Sequence, residues 1–154
     1  MAGKIRIAFV ANTSWSIYKF RLYIIKELLD KGFAVFVLAP RDYYTEQFEN
    51  LPGLQFVPLK HFANKKASPW NGLLLYAELK KAYRTIAPHL IFHYTIKANI
   101  FGTIAAGRRY RCISVITGLG YAFMENSTLQ SIARFLYKFS LRYANEVWFL
   151  NHDD

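Results

Sequence analysis

Six short runs of β-branched, aromatic and aliphatic residues alternate with amphipathic helical patterns along the chain, and this alternation is what most limits the available folds. Residues 4–11, 33–39, 54–59, 90–94, 111–116 and 146–150 have the length and composition of strands. The second run, Phe33-Ala34-Val35-Phe36-Val37-Leu38-Ala39, is apolar throughout rather than alternating, as a parallel strand covered on both faces requires. Between the first two runs, residues 18–31 place Tyr18, Leu22, Ile25 and Leu29 on one helical face, and Gly32 supplies a C-terminal stop. A short helix is expected over 43–50, ended by Pro52-Gly53. Ser68 and Pro69 supply the N-cap and first-turn residue of a helix running to about Ala87, with Leu75, Leu79, Ala82 and Ile86 inward and Pro88 beyond its end. Residues 60–67 read as a basic loop between strand and helix. Helices over 98–110 and 128–143 complete the pattern, the second with Leu129, Ile132, Leu136, Phe139 and Tyr143 toward the core. Strand–helix alternation without hairpins predicts an α/β, three-layer, doubly wound parallel sheet, Rossmann-like, with right-handed crossovers.

The chain has 154 residues, enough to bury one core of ordinary size. It lacks both the run of about 20 apolar residues that a membrane-spanning helix needs and the pattern of a secretory leader, so a cytoplasmic location is expected. The one cysteine, Cys112, lies in an apolar run and reads as an inert core thiol. Twenty basic residues against 10 acidic ones attract polyanions. With 18% aromatic residues this balance suits an anionic membrane surface and also single-stranded nucleic acid, although no nucleic-acid recognition motif is visible.

Open parallel sheets bind ligands beyond the carboxyl ends of their strands, and three polar segments are expected there. The first contains Asn12, Ser14, Trp15, Ser16, Tyr18 and Arg21, whose hydroxyls and following helix N-terminus form a candidate phosphate or sugar cradle. It contains no glycine, which argues against a dinucleotide fingerprint. The second contains His93, Thr95, Lys97 and Asn99; a lone histidine here is equally consistent with a hydrogen-bonded structural role. His89 and His93, separated by roughly 13 Å on a strand, cannot share a metal ion, and no other ligand spacing is present. The third contains Thr117, Gly118, Gly120 and Tyr121, where glycine permits close backbone approach to a ligand or simply a tight turn. On the helix over 128–143, Arg134, Lys138 and Arg142 recur at i, i+4 with Tyr137 and Leu141 beside them, either a membrane-facing strip or a merely solvated face.

Four of these segments carry a resemblance. Ile7 to Ser16 followed by Tyr18-Lys19-Phe20-Arg21 resembles the opening of family 4 glycosyltransferases, bacterial enzymes of surface-polysaccharide and lipid-linked glycan assembly. Tyr94-Thr95-Ile96-Lys97-Ala98-Asn99-Ile100-Phe101-Gly102 is similar to their Thr-Ile-Lys-Pro-Asn-Ile-Tyr-Gly signature, with Ala98 in place of proline. Thr117-Gly118-Leu119-Gly120-Tyr121 matches a stretch of the subgroup that elongates lipid-diphosphate-linked sugars, and Phe149-Leu150-Asn151-His152-Asp153-Asp154 resembles their Phe-Gln-Asn-Pro-Asp-Asp.

The resemblance implies one half of a GT-B fold, with residues 1–154 as the N-terminal, acceptor-binding domain. It implies retaining, metal-independent transfer without a cofactor from a nucleotide-sugar, expected to be a UDP-N-acetylhexosamine. The acceptor would be a polyprenyl-diphosphate-linked sugar or a saccharide at the inner face of the cytoplasmic membrane, with no nucleic acid involved. The donor site and paired glutamates of the family lie mainly in a C-terminal domain, so the chain is expected to be a truncated piece, inactive alone. Lys97 and Arg21 are the expected phosphate partners. Relatives carry a cleft histidine just after the fifth strand, where this chain has Thr117-Gly118, so the resemblance transfers no catalytic residue. Two alternatives remain open: a non-catalytic membrane-recruiting half of a split enzyme, and a GT-B sugar-nucleotide epimerase.

Overall fold

The structure, a computed structural model, describes residues 3–63, 69–118 and 128–150. Its order is β1 (Arg6–Val10), α1 (Ser14–Asp30), β2 (Ala34–Ala39), α2 (Thr45–Glu49), β3 (Leu54–Pro58), a 3₁₀ turn (His61–Ala63), α3 (Pro69–Ile86) and β4 (Leu90–Tyr94). A π-helical turn (Ala98–Gly102), α4 (Thr103–Ala106), β5 (Cys112–Ile116), α5 (Thr128–Leu141) and β6 (Glu146–Phe149) follow. The strands form one six-stranded sheet in the order β3-β2-β1-β4-β5-β6, with every pair parallel. The chain winds outward from β1 through β2 to β3, then returns so that β4 pairs with the other side of β1, in register Ile7↔Leu90 to Val10↔His93. The strand order therefore reverses between β1 and β4, where open sheets of this type gape at their carboxyl ends.

Period-two alternation divides the core into two layers. Ile7, Phe9, Val35 and Val37 pack under α1 and α2 with Ile17, Ile25 and Phe48. Ala8, Val10, Phe36 and Leu38 pack on the opposite face with Leu75, Leu79, Tyr83 and Ile86 of α3. Each fully buried aliphatic side chain contributes about 1.5–3 kcal/mol, which makes the inner strands the stable part of the molecule. A smaller cluster of Ile100, Ile116 and Tyr137 seats α5 against the π-helical turn.

Several boundaries differ from the sequence expectation. Helix α1 starts four residues early, at Ser14, because Thr13 is extended (φ −147°, ψ 144°) and its hydroxyl accepts from the Ser16 amide. The helix expected over 98–110 opens as a π-helical turn and stops at Ala106, where Gly107 turns the backbone to φ +53°. The expected loop over 60–67 contains the 3₁₀ turn His61–Ala63, and its residues 64–67 and the Ser68 cap lie outside the described residues.

Helix α5 is rotated relative to expectation. Its inner side is Tyr137, Ser140 and the partly covered Leu136 and Leu141, while Ile132 and Phe139, expected in the core, are 52% and 37% exposed. Phe135 is exposed beside them, its ring 6.4 Å from that of Phe139. Arg134, Lys138 and Arg142 do face outward, but Tyr137 and Leu141 do not: Tyr137 is committed to a buried hydrogen bond with Asn99 and Leu141 to the cluster around Ile116. Among the described residues no helix is long and apolar enough to cross a membrane.

Candidate functional site

A cavity of about 640 Å³ opens at the carboxyl ends of β1, β2, β4 and β5. Asn12 and Thr13 enter from β1, Pro40 and Asp42 from β2, Thr95, Lys97 and Asn99 from β4, and Thr117 and Gly118 from β5. Its volume lies within the range of small-molecule sites. A second hollow of about 230 Å³ adjoins it, sharing Thr95 and Thr117 and adding Ser16 and Arg21. The Arg21 guanidinium lies 4.7 Å from the centre of the Tyr94 ring, a cation–π contact that fixes its place at the mouth of this hollow. Burial pushes the Tyr94 phenol up to about 12 even against the opposing pull of Arg21, so it remains a neutral platform.

The floor is the turn after β4. Thr95 has φ +74°, a left-handed conformation rare for a β-branched side chain. The Asn99 amide nitrogen bonds the Thr95 carbonyl at 2.9 Å and closes the turn. The Asn99 side chain then donates from Nδ2 to the Val115 carbonyl at 3.1 Å and to the Tyr137 hydroxyl at 3.0 Å. One residue thus ties β5 and α5 to the cavity floor. Two buried polar atoms of this floor, Thr95 Oγ1 and Asn99 Oδ1, have no hydrogen-bond partner among the described residues.

The α1 N-terminus is already occupied by the protein's own groups. The Asp42 carboxylate accepts from the Trp15 amide at 3.0 Å and from the Tyr44 amide at 2.9 Å, while Thr13 Oγ1 takes the Ser16 amide. A carboxylate at that position interacts favourably with the helix dipole and holds the place expected for a phosphate. Ser14 is fully buried, donating to the Pro40 carbonyl at 2.7 Å, so its hydroxyl is a tether between α1 and the end of β2. Tyr18 packs into the core, its ring 6.0 Å from Phe48, and Trp15 lies on the surface edge-on to Phe20. Neither belongs to the cavity wall.

His93 is also withdrawn from the site. It is fully buried below the cavity, with Nε2 2.9 Å from the Tyr83 hydroxyl and Nδ1 3.1 Å from Thr103 Oγ1, which in turn lies 3.0 Å from Ser114 Oγ. Both neighbours are hydroxyls, so either neutral tautomer satisfies both ring nitrogens. Burial lowers its pKa to about 3 and raises that of Tyr83, leaving a neutral network. Gly102 is required beside it, because a Cβ there would stand 2.6 Å from the imidazole.

The sequence-expected residues thus separate. Asn12, Thr95, Lys97, Asn99, Thr117 and Gly118 meet around the cavity, and Ser16 and Arg21 meet in the adjoining hollow. Ser14, Tyr18 and His93 are structural, Trp15 is peripheral, and Gly120 and Tyr121 lie outside the described residues. Asp42, Phe62 and Tyr137 line the cavity without having been expected there. Asp42 was accessible to sequence reasoning, since it follows the carboxyl end of a central strand.

The profile of the family described as glycosyl transferase 4-like matches residues 6–151. The chain is 31% identical over 156 aligned positions to the N,N'-diacetylbacillosaminyl-diphospho-undecaprenol alpha-1,3-N-acetylgalactosaminyltransferase of Campylobacter jejuni subsp. jejuni serotype O:2, covering 97% of this chain and 41% of that protein. Among solved structures, a sucrose-phosphate synthase from Thermosynechococcus elongatus superimposes with TM-score 0.66 at 12% identity, covering 94% of this chain and 42% of that one. A UDP-N-acetylglucosamine 2-epimerase superimposes with TM-score 0.64 at 15% identity, covering 94% and 41%. At such identities the structural likeness speaks to fold, and its extent is that of one half of a GT-B architecture. The chain spans about two fifths of the length of these relatives. It belongs to the glycosyl transferase 4-like family.

Proposed function

We propose that this chain is the acceptor-side half of a retaining, metal-independent glycosyltransferase that moves a sugar from a UDP-N-acetylhexosamine to a lipid-diphosphate-linked acceptor at an anionic membrane surface. The observation that carries the reading is the outer face of α5. Ile132, Phe135 and Phe139 are exposed there beside exposed Arg134, Lys138 and Arg142, so apolar side chains able to enter the acyl boundary lie beside cations able to meet lipid phosphates. The same helix reaches the cavity through Tyr137, which brings a membrane-borne acceptor to the site. Lys97 and Arg21 supply positive charge to the cavity and its adjoining hollow for a diphosphate. The C. jejuni relative is named for a diphospho-undecaprenol acceptor, which supports the same class of acceptor here. The nucleotide-sugar would be held mainly by a second domain.

The reading is tested with the full-length protein, undecaprenyl-diphosphate-linked sugars and a panel of UDP-sugars. Transfer dependent on the lipid acceptor supports it, and turnover of a UDP-sugar with no acceptor present would favour an epimerase instead. Glutamate at Arg134, Lys138 and Arg142 together should weaken binding to anionic vesicles at least about a hundredfold, each basic residue near such a surface contributing about 1 kcal/mol. Unchanged vesicle binding would remove α5 from the mechanism.

A further inference from the structure

The turn after β4 combines three unfavourable features within five residues. Thr95 is β-branched at φ +74°, its Oγ1 is buried without a partner among the described residues, and so is Oδ1 of Asn99. Strained backbone and unpaired buried polar atoms each cost stability, and a turn shaped only by folding would lose them through ordinary substitutions. Here they occur together on the floor of the 640 Å³ cavity, which both residues line.

The atoms also define what would satisfy them. The Val115 carbonyl can only accept, so the Asn99 end that faces it is the nitrogen, and the unpaired end is the carbonyl oxygen. That oxygen can accept a hydrogen bond and cannot donate one. A phosphate, whose ionised oxygens are acceptors, is therefore the wrong partner; a hydroxyl or an amide N–H is the right one. The Thr95 hydroxyl can act in either sense and can accept from the same group or donate to its oxygen.

We propose that the Thr95–Asn99 turn recognises a hydrogen-bond-donating group of a sugar ring, a hydroxyl or an acetamido N–H, at the floor of the cleft. The inference rests on the reading of the cavity as a sugar-transferase site and assigns its floor to the sugar rather than to the diphosphate.

The test is calorimetric binding to the full-length protein, comparing wild type with Thr95→Val and Thr95→Ser. Valine keeps the branched shape and backbone demand while removing the hydroxyl, and serine restores the hydroxyl. Two probe pairs are used: farnesyl-diphosphate-linked N-acetylglucosamine against farnesyl diphosphate, and UDP-N-acetylglucosamine against UDP. Thr95→Val is expected to weaken binding of one sugar-bearing probe about tenfold, leave its sugar-free partner unchanged, and be rescued by Thr95→Ser. The affected pair identifies the ring as that of the acceptor or of the donor. Loss confined to the UDP pair, with no binding of the lipid probes, would sustain the sugar site and remove the acceptor assignment made above.

A second readout separates recognition from structure. Removing an unpaired buried hydroxyl should leave the melting temperature of the ligand-free protein unchanged or higher, whereas removing a structural hydrogen bond would lower it. Equal loss for sugar-bearing and sugar-free probes, or no loss for either in a folded Thr95→Val protein, would overturn the proposal.

Discussion

Acidification should expose the role of His93. Its pKa is about 3 in the folded chain against 6.5 as the ordinary value, the cause being burial. Between these two values the unfolded chain takes up a proton at this imidazole and the folded chain does not, so stability falls as pH falls through the window. At pH 5 the unfolded imidazole is largely charged while the folded one is still neutral, and the linkage amounts to about 2 kcal/mol relative to pH 7. The comparison that isolates it is His93→Gln, which cannot titrate. Urea unfolding of both proteins at pH 7, 6 and 5 cancels every other titration they share. Wild type should lose about 2 kcal/mol of its advantage over the variant between pH 7 and pH 5, a midpoint shift of roughly 1 M for a typical domain of this size. A difference that stays flat across this range would show that the imidazole is not held neutral against Tyr83 and Thr103. The same variant distinguishes a structural from a ligand-binding histidine: the first predicts a loss of stability at neutral pH that shrinks on acidification, the second a change in affinity alone.

Two further perturbations probe the frame around the cavity. Gly102→Ala would place a methyl 2.6 Å from the His93 ring and 3.1 Å from the Tyr83 hydroxyl, and should cost about 1–3 kcal/mol by thermal or urea unfolding. Asp42→Ala removes the acceptor of the Trp15 and Tyr44 amides and should cost about 1 kcal/mol. If Asp42 does hold a would-be phosphate position, its removal should also raise affinity for inorganic phosphate, measured by titration calorimetry.

The strands were legible because a parallel strand covered on both faces is apolar throughout, as Ala34–Ala39 is, and short β-branched runs bounded by turn residues favour strand over helix. The cavity edges were legible for a topological reason, since polar residues just past β1, β4 and β5 necessarily gather at one end of a parallel sheet. What failed required knowledge of a partner in another element. His93 reads the same in sequence whether or not Tyr83 and Thr103 bracket its ring. Helix α5 has apolar side chains on two sides, Ile132 and Phe139 on one and Tyr137 and Leu141 on the other, and periodicity cannot choose between them. In the structure the second side is inward, where Tyr137 meets the Asn99 side chain and Leu141 joins the cluster around Ile116. The early start of α1 was hidden because hydroxyl residues suit both loops and caps, and only the extended backbone at Thr13 separates the two.

The pairing of β1 with β4 also sets when the site can exist. Ile7 and Leu90 are neighbours in the sheet but are separated by more than half the length of the chain. As the protein emerges during synthesis, β1, β2 and β3 can pair through short local connections. The floor bearing Thr95 and Asn99 arrives only with a distant segment that must find the free side of β1. Until it docks, β1 is an open edge and the cavity lacks its floor. Ligand affinity thus depends on this long-range pairing, and any substrate that fills the cavity favours the completed sheet.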